Sequence, residues 1–268
     1  MNAVYTIAID SPGRNDFGRQ AALMAKSLRI FGGFEGDIIV FSNTPKVPCT
    51  SPYTHIHVEL PEGEDQRKWS TTFRFNIMEI HEDILMKYDR LLFIDTDVII
   101  QRPIAWFSEK HYPQDLLYTS APNRNAYRQS WYGANFEESQ KQTASLMTGI
   151  TAGHVLTTAR MRKEIYAAWQ DAHRTAIRRE GFVHTDQSAL NRLIHDIEYG
   201  GKYAVNATKK LLPIWDVVYY RTHRKKTTIQ AMHDAMIVHY NGYKYQEERL
   251  KLMEGRYLQM DWAKRLNI

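Results

Sequence analysis

The stretch "YDRLLFIDTDVII", residues 88–100, decides the fold, because two carboxylates interrupt an apolar run that then resumes. Residues 91–94 are continuously apolar, which is typical of a parallel strand covered on both faces. Asp95 and Asp97 follow at positions i and i+2, and on an extended segment such side chains point the same way. They could instead cap a turn. Because burying two unpaired carboxylates side by side is costly, the apolar flanks favour a shared divalent cation.

The chain before this stretch alternates between strand and helix patterns. The sequence predicts strands at residues 3–9 and 36–43. Between them it predicts a helix over residues 16–31 that ends at Gly32 and Gly33. Alternation of this kind indicates an α/β fold in the first hundred residues or so.

A further helix is predicted directly before the carboxylate pair. Its start falls at residues 70–72, where Ser or Thr can cap a helix. Apolar residues then recur at spacings of 4, 3 and 4, which predicts one buried helix face: Phe73, Ile77, Ile80 and Ile84.

The second half of the sequence is less regular. It predicts strand structure at residues 145–157, a helix at 185–197 and short strands between 203 and 218. Between the first two lies another helix, with one face formed by Met161, Ile165, Trp169 and Ala172. Residues 121–145 show no period and are predicted to be a long loop, a lid or an acceptor site.

The C-terminal stretch, residues 247–266, predicts an amphipathic helix. Its apolar side chains stand at spacings of 3, 4 and 3: Leu250, Met253, Tyr257 and Met260. Packing on the same domain is the expected role of this face. Peripheral contact with a membrane surface is the alternative, because the other face is charged.

Composition limits the function classes. Lys and Arg outnumber Asp and Glu by 35 to 30, an excess that suits an anionic ligand without demanding nucleic acid, and no nucleic-acid partner is expected. The single cysteine, Cys49, excludes a disulfide framework. No apolar run approaches the roughly 20 residues that span a bilayer. The N-terminal residues lack a signal-peptide pattern, so a cytoplasmic location is expected.

Two further segments carry polar residues suited to a site. In "HYNGYK", residues 239–244, His239 can supply a nitrogen ligand, Gly242 allows close backbone approach and Lys244 can hold a phosphate. Taken alone, His239 could be a half-buried structural histidine and Lys244 a solvated surface residue. Their arrangement at the end of an apolar strand is the reason for considering a site.

In "HTDQSALNRLI", residues 184–194, Asp186 and Gln187 lie in the first helical turn behind a candidate cap, Thr185. The helix dipole explains Asp186 but not Gln187. Both positions extend the inward helix face, so they are predicted to face a cleft.

These segments, in this order, resemble the glycogenin-like and galactosyltransferase-like retaining glycosyltransferases of family eight. The similarity covers about residues 3–245. It rests on the first strand, turn and helix, on Arg74 in the helix before the carboxylate pair, and on three motifs: "LLFIDTDVII", "TDQSALN" and "HYNGYK". The sequence also departs from the family pattern: the helix with Arg74 lies slightly farther than is typical from the Asp-x-Asp pair, and the usual Pro-Trp after Lys244 is absent. Residues 151–153 read Thr-Ala-Gly where the family has Asn-Ser-Gly or Asn-Ala-Gly, and Lys244 comes one residue early.

The resemblance implies a fold and a domain plan. The expected fold is α/β, a single Rossmann-like nucleotide-sugar-binding domain of the glycosyltransferase A type, with a mixed central sheet flanked by helices. One domain is expected over residues 1–268, with a nucleotide-binding half at about 1–110, a sugar and acceptor half at 111–244 and a helical tail at 245–268.

The resemblance also implies the chemistry. The chain is expected to be an enzyme that transfers a sugar, with retention, from a nucleotide sugar, with UDP as the nucleotide, to a glycan, lipid or protein acceptor. Asp95, Asp97 and His239 would bind Mn²⁺, with Mg²⁺ as a substitute. Arg74, Asp186 and Gln187 are the expected catalytic residues. The expected donor-binding residues are Ala8, Asp10, Arg74, Asp95, Thr96, Asp97, Gly153, Gly242 and Lys244.

Two other classes remain open at this point. Haloacid-dehalogenase-like phosphatases also place an Asp-x-Asp motif after an apolar strand, and Asp95 would then be the nucleophile. They usually carry it on the first strand, however, whereas here it follows about the third. The other class is a non-catalytic nucleotide-sugar-binding module, which would keep the pocket without the metal chemistry.

Overall fold

The computed structural model describes residues 1–10, 16–60, 66–104, 114–125, 136–180, 185–200, 208–211, 216–218, 235–240 and 246–265. In chain order the elements are β1 (Asn2–Ala8), α1 (Phe17–Ile30), β2 (Asp37–Ser42), β3 (Thr54–His57), α2 (Gln66–Ile80), α3 (Glu82–Leu85), β4 (Arg90–Ile94), β5 (Val98–Ile100), β6 (Leu116–Asn125), a 3-10 turn (Glu138–Gln140), α4 (Lys141–Leu146), β7 (Thr148–Thr158), α5 (Ala159–Glu180), α6 (Thr185–Glu198), β8 (Thr208–Leu211), β9 (Asp216–Val218), β10 (Ile237–His239) and α7 (Gln246–Arg265).

The structure is α/β with a mixed central sheet flanked by helices, which is compatible with the expected Rossmann-like class. Contacts divide the chain into two compact units. Unit 1 comprises Met1–Asn2, Pro61–Phe93 and Pro113–Pro213. Unit 2 comprises Ala3–Leu60, Ile94–Tyr112 and Ile214–Ile268. The plan of one domain in three parts stays a prediction.

Within the described ranges, no helix is both long enough and apolar enough to cross a bilayer.

Unit 2 begins with three parallel strands in the order β3-β2-β1, with Val4 opposite Ile38 and Ile39 opposite Thr54. The predicted first two strands and the helix between them are confirmed, and Gly33 adopts a left-handed φ of 59° just beyond α1.

A second sheet of unit 2, in the order β5-β10-β9, pairs β10 antiparallel with β5 and parallel with β9. The C-terminal helix α7 packs on residues from this sheet and from α1, as its apolar spacing predicts. The buried cluster consists of Phe31, Ile99, Ala235, Val238, Tyr240, Met253 and Tyr257.

Truncating the buried face of α7 should therefore destabilise the protein. Met253 is fully buried, so Met253→Ala is expected to lower the free energy of unfolding by about 2–5 kcal/mol through lost burial and a residual cavity. Leu258 on the same helix is 65% exposed, and Leu258→Ala should change it by less than about 0.5 kcal/mol. Urea unfolding measures both. Equal effects would mean that α7 does not pack as described.

Unit 1 carries the strand order β4-β7-β6-β8, with β6 antiparallel to β7 and parallel to β8. The pairing of β6 with β7 shifts between Tyr118, opposite Val155, and Thr119, opposite Thr151. Residues 152–154 of β7 therefore have no partner in β6, an irregularity of the pairing that we call the β7 bulge. This irregularity lies at the segment that the resemblance assigns to the sugar.

A buried arginine of unit 1 contacts the turn before β4. The Arg162 guanidinium on α5 donates to the carbonyl oxygens of Leu85 at 2.6 Å and Tyr88 at 2.8 Å, and it also contacts Thr157. Arg162 is fully buried, so removing its guanidinium would take these hydrogen bonds away from groups inside the protein. Arg162 thus holds the turn that leads into β4.

The structure corrects several boundaries predicted from the sequence. Helix α2 begins at Gln66, so residues 70–72 lie inside it and do not cap it. The helix ends at Ile80, which is 71% exposed, and Ile84 belongs to the short helix α3. The spacing rule failed there because the chain breaks its helical path at His81, whose ψ is 28°.

The predicted strand at 145–157 and loop at 121–145 are also corrected. The strand β7 begins only at Thr148, because residues 141–146 are helical. Residues 121–125 belong to β6 and 138–146 to helical turns, while residues 126–135 lie outside the described residues. The polar composition of residues 121–145 gave no periodic pattern, although part of this segment forms a strand and a helix.

Candidate functional site

Backbone pairing brings His239 to the two carboxylates. Asp95 and Asp97 lie at a bend between β4 and β5 rather than on an extended strand. The antiparallel register of β10 with β5 places His239 opposite Val98, and the Tyr240 amide donates to the Asp97 carbonyl at 2.8 Å. The end of one strand therefore meets the beginning of the other, although the residues are far apart in sequence.

The three side chains form a group that could hold a metal ion. One ligand atom from each of Asp95, Asp97 and His239 lies within 4.8 Å of the others. The Nε2 atom of His239 is 3.1 Å from Asp97 Oδ1 and 3.5 Å from Asp95 Oδ2. Bonds of about 2.1 Å place neighbouring ligands of an octahedral ion about 3 Å apart, so the spacing fits a divalent cation.

The three side chains of the cluster differ in how far they are exposed to solvent. The side chains of His239 and Asp97 are 2% and 10% exposed, whereas that of Asp95 is 34% exposed. A cation held here would be enclosed on the protein side and open beside Asp95, where water or a ligand oxygen could complete its coordination. Two carboxylates and one imidazole suit metals that accept mixed oxygen and nitrogen ligation.

Arg249 is a fourth member that sequence reasoning missed. It lies in the first turn of α7 and its NH1 atom is 2.8 Å from Asp97 Oδ2. Burial alone would raise the pKa of Asp97, but the charges of His239 and Arg249 outweigh burial and hold that pKa well below its usual range. Arg249 shares a helix face with the buried Met253, four residues on, and this charged residue on an apolar face was the available signal.

Arg249 also determines how Asp97 can bind. Because Arg249 occupies Oδ2, the oxygen that remains toward His239 is Oδ1. Asp97 is thereby oriented as a monodentate ligand, and partners of this kind around a metal ligand tune its position and affinity.

Three other predicted donor-binding residues lie in unit 2. Ala8 is fully buried at the end of β1. The Asp10 carboxylate accepts a hydrogen bond from the Phe17 amide at 2.9 Å; burial raises its pKa, and backbone hydrogen bonds oppose the rise. Thr96 is buried, with its hydroxyl 3.5 Å from Gln20 on α1, so its side chain contacts the helix.

In unit 1 the structure brings Arg74 and Asp186 together. Their NH2 and Oδ2 atoms are 3.4 Å apart, with side-chain exposures of 6% and 17%. The Arg74 guanidinium lies 4.0 Å from the centroid of the Phe93 ring and 4.7 Å from that of Trp169. The Trp169 indole N–H donates to the Asp186 carbonyl at 2.8 Å. Aromatic faces thus enclose an ion pair, which fixes both charged groups.

The β7 bulge takes part in this cluster. Arg74 NH1 donates to the Ala152 carbonyl at 2.8 Å, an oxygen within the bulged segment. The adjacent Gly153 amide donates to the Thr151 hydroxyl at 3.2 Å. Gly153, a predicted donor-site residue, is therefore next to the residue that contacts Arg74.

Helix α6 is held to β7 by Asn191. Its Nδ2 and Oδ1 atoms make two hydrogen bonds of 2.8 Å with the backbone of Ile150, and Nδ2 also donates to the Gln187 carbonyl. Asn191 is fully buried, and Gln187 and Asp186 are partly exposed one turn before it. The Asn of the "TDQSALN" motif thus positions the helix start that carries the two predicted catalytic residues.

His173 on α5 is fully packed beside this ion pair, with its ring centroid 4.9 Å from that of Phe75. Burial lowers the pKa of His173 to about 4; Asp186 opposes this shift, and Arg74 and Arg174 add to it. The folded state therefore resists protonation of His173 relative to the unfolded chain.

Stability should consequently fall in mild acid. Above the unfolded pKa of about 6.5 the neutral histidine has no cost, and between about pH 6.5 and pH 4 unfolding becomes progressively favoured, by about 3 kcal/mol at most. Urea unfolding across this range measures the loss. His173→Gln should flatten the profile, whereas substitution of the exposed His57 by Gln should leave it unchanged. A wild-type profile that is already flat would contradict the burial of a neutral His173.

Two predicted donor-binding residues, Gly242 and Lys244, lie outside the described residues.

No protein-family model matches the chain, and no curated protein matches its sequence. The expected lack of a nucleic-acid partner, the cytoplasmic location and the peripheral membrane contact stay predictions.

Proposed function

We propose that this chain is a metal-dependent retaining glycosyltransferase of the glycogenin-like type. It moves a sugar from a nucleotide sugar, with UDP as the nucleotide, to a glycan, lipid or protein acceptor. The observation that carries the proposal is the convergence of Asp95, Asp97 and His239 within 4.8 Å. An Asp-x-Asp pair joined by a distant histidine can hold a divalent cation, and such a cation can bind the two phosphates of a nucleotide sugar.

The proposed metal is Mn²⁺, with Mg²⁺ as a substitute. When bound, the cation supplies positive charge that neutralises the leaving diphosphate. Asp97 and His239 are the enclosed ligands, and Arg249 fixes the orientation of Asp97. Asp95 is the more exposed ligand, on the side where phosphate oxygens would enter. Lys244 is assigned to the outer phosphate, and Ala8, Asp10 and Thr96 to the base and ribose.

The resemblance assigns Arg74 and Asp186 to the reacting sugar. The carboxylate of Asp186 can steady positive charge at the anomeric carbon, and Arg74 can stabilise the departing group. Because Arg74 partly compensates the charge of Asp186, that carboxylate is a weakened nucleophile. Gln187 is a weak nucleophile by nature. These properties favour front-face attack over a covalent intermediate.

A thermal-shift screen of nucleotide sugars with Mn²⁺ tests the donor and the metal together. A ligand at about 100 times its dissociation constant adds about 2.7 kcal/mol of stability, which should raise Tm by about 5–10 °C. We expect this rise for one UDP-sugar in the presence of Mn²⁺ and its loss on addition of a chelator. An equal rise in the chelated protein would contradict a metal-bridged donor.

Product analysis separates the alternative functions. A glycosyltransferase should release nucleoside diphosphate slowly from one nucleotide sugar, and only with metal. A haloacid-dehalogenase-like phosphatase with Asp95 as nucleophile would release inorganic phosphate from simple monoesters. A non-catalytic binding module would show the thermal shift without either product.

A further inference from the structure

A cleft in unit 2, away from the metal cluster, has no role in the proposed reaction. It has a volume of about 610 Å³ and lies among the end of α1, the residues after β5 and the last turns of α7. Its lining includes Phe31, Arg102, Arg256, Met260, Trp262 and Lys264. Among the described residues that line it, none is acidic.

Arg256 gives this cleft its chemical character. Its Nε and NH1 atoms donate to the side-chain oxygens of Gln101 at 2.6 Å and Gln259 at 2.8 Å. Both acceptors are neutral amides, so they orient the guanidinium without cancelling its charge. Burial lowers the pKa of Arg256, and Tyr240 opposes this only in part. A half-buried cation oriented by amides is prepared to bind an anion.

Two more cations line the same cleft. Lys264 is held there because its Nζ atom donates to the Ile30 carbonyl at 2.8 Å, and Arg102 lies directly after Gln101. Three positive charges around one cleft match a phosphate monoester, which carries nearly two negative charges at neutral pH, better than a carboxylate, which carries one.

The cleft also offers apolar surface for the rest of such a ligand. Trp262 is 62% exposed, although it lines the cleft beside Met260 and Phe31. The Trp262 indole can pack against the carbon body of a ligand. Anionic and apolar groups are therefore both accommodated.

This cleft is separate from the metal cluster. Gln101 lies four positions after Asp97, about 13 Å along an extended chain. On α7, Arg256 lies seven positions after Arg249, about 10 Å along the helix. The strand and the helix thus each run from the metal cluster to the cleft.

We propose that the cleft of Arg102, Arg256, Trp262 and Lys264 binds a small organic phosphate monoester with an apolar body. The phosphate pairs with Arg256 and the two flanking cations, and the apolar part packs on Trp262 and Met260. Binding requires no metal, so it does not depend on the proposed glycosyl transfer.

Titration with hexyl phosphate in the presence of a chelator tests this site. Wild-type protein should bind the ester more tightly than inorganic phosphate. Arg256→Met should weaken binding of the ester about tenfold or more, because the charge-assisted hydrogen bonds are lost. Trp262→Ala, at an exposed position that the fold does not need, should remove the preference for the ester over inorganic phosphate.

Arg265→Met is the matched control, because it removes the same charge from the same helix at a residue 77% exposed and outside the cleft lining. It should bind hexyl phosphate as wild type does. Failure of wild type to bind the ester, or equal weakening by Arg256→Met and Arg265→Met, would overturn the site. Arg256-dependent binding to vesicles containing phosphatidylglycerol without binding of hexyl phosphate would also overturn it, in favour of surface docking. None of these results alters the metal-dependent thermal shift, so the two proposals fail separately.

Discussion

Asp97→Asn should abolish the proposed Mn²⁺-dependent rise in Tm and lower the proposed glycosyl transfer about a thousandfold. The amide keeps the shape of the carboxylate but loses the charge that faces His239 and Arg249 at 3.1 Å and 2.8 Å. A neutral ligand at this position binds a divalent cation weakly. Titration of Mn²⁺ followed by Tm, together with an assay of nucleoside diphosphate release, measures both effects.

The substitution also leaves the nearly buried Arg249 without its carboxylate, so the variant can be destabilised by a few kcal/mol for reasons unrelated to metal. Arg249→Met separates the two causes. It keeps all three metal ligands and removes only the group that orients Asp97, so metal affinity should fall about 10- to 100-fold rather than vanish. An Asp97→Asn protein that still shows the full Mn²⁺-dependent shift would remove Asp97 from the site.

Only part of the metal cluster can be predicted from the residues of the sequence alone. Asp95 and Asp97 stand out because carboxylates are rare inside an apolar run, and His239 because it ends a short apolar strand. Neither feature reveals that the strands are antiparallel neighbours, and only that register brings His239 beside Asp97. The prediction that these residues meet came from resemblance to a family, whereas the structure supplies the physical reason.

Arg249 shows why part of the site escaped prediction. Arg249 is nearly buried on the face of α7 that carries Met253, four residues on. Helical spacing alone does not tell whether an arginine at such a position extends its charge to solvent or is buried with a partner. The partner, Asp97, is contributed by a distant segment. Pairings of this kind depend on tertiary contacts, and local patterns do not encode them.

The cluster in unit 1 was predicted in its members but not in its construction. Arg74 and Asp186 were predicted from motifs. Their geometry also depends on Trp169, which the helical spacing predicted only as a core residue, and on the β7 bulge. No residue pattern predicted that bulge. Bulges arise from the mismatch between paired strands, so a single strand carries little sign of them.

Arg74→Met is expected to lower the proposed glycosyl transfer about 100- to 1000-fold and to destabilise the protein by about 3 kcal/mol. The methionine fills the space between Phe93 and Trp169 but leaves Asp186, which is 17% exposed, without its guanidinium partner. Asp186→Asn should reduce transfer similarly while costing less stability, because an amide is cheaper to bury than a lone carboxylate. Urea unfolding and initial rates measure the two effects.

The double variant decides whether the pair acts as a unit. If Arg74 and Asp186 interact as their 3.4 Å separation indicates, the combined loss of stability should be smaller than the sum of the single losses by about 1–3 kcal/mol. Lys163→Met, which breaks an ion pair with Glu82 at an exposed position, is the matched control and should cost less than about 1 kcal/mol. Strict additivity of the Arg74 and Asp186 effects would mean that the pair is not coupled. Full transfer activity in Arg74→Met would remove Arg74 from the reaction while leaving the metal cluster untouched.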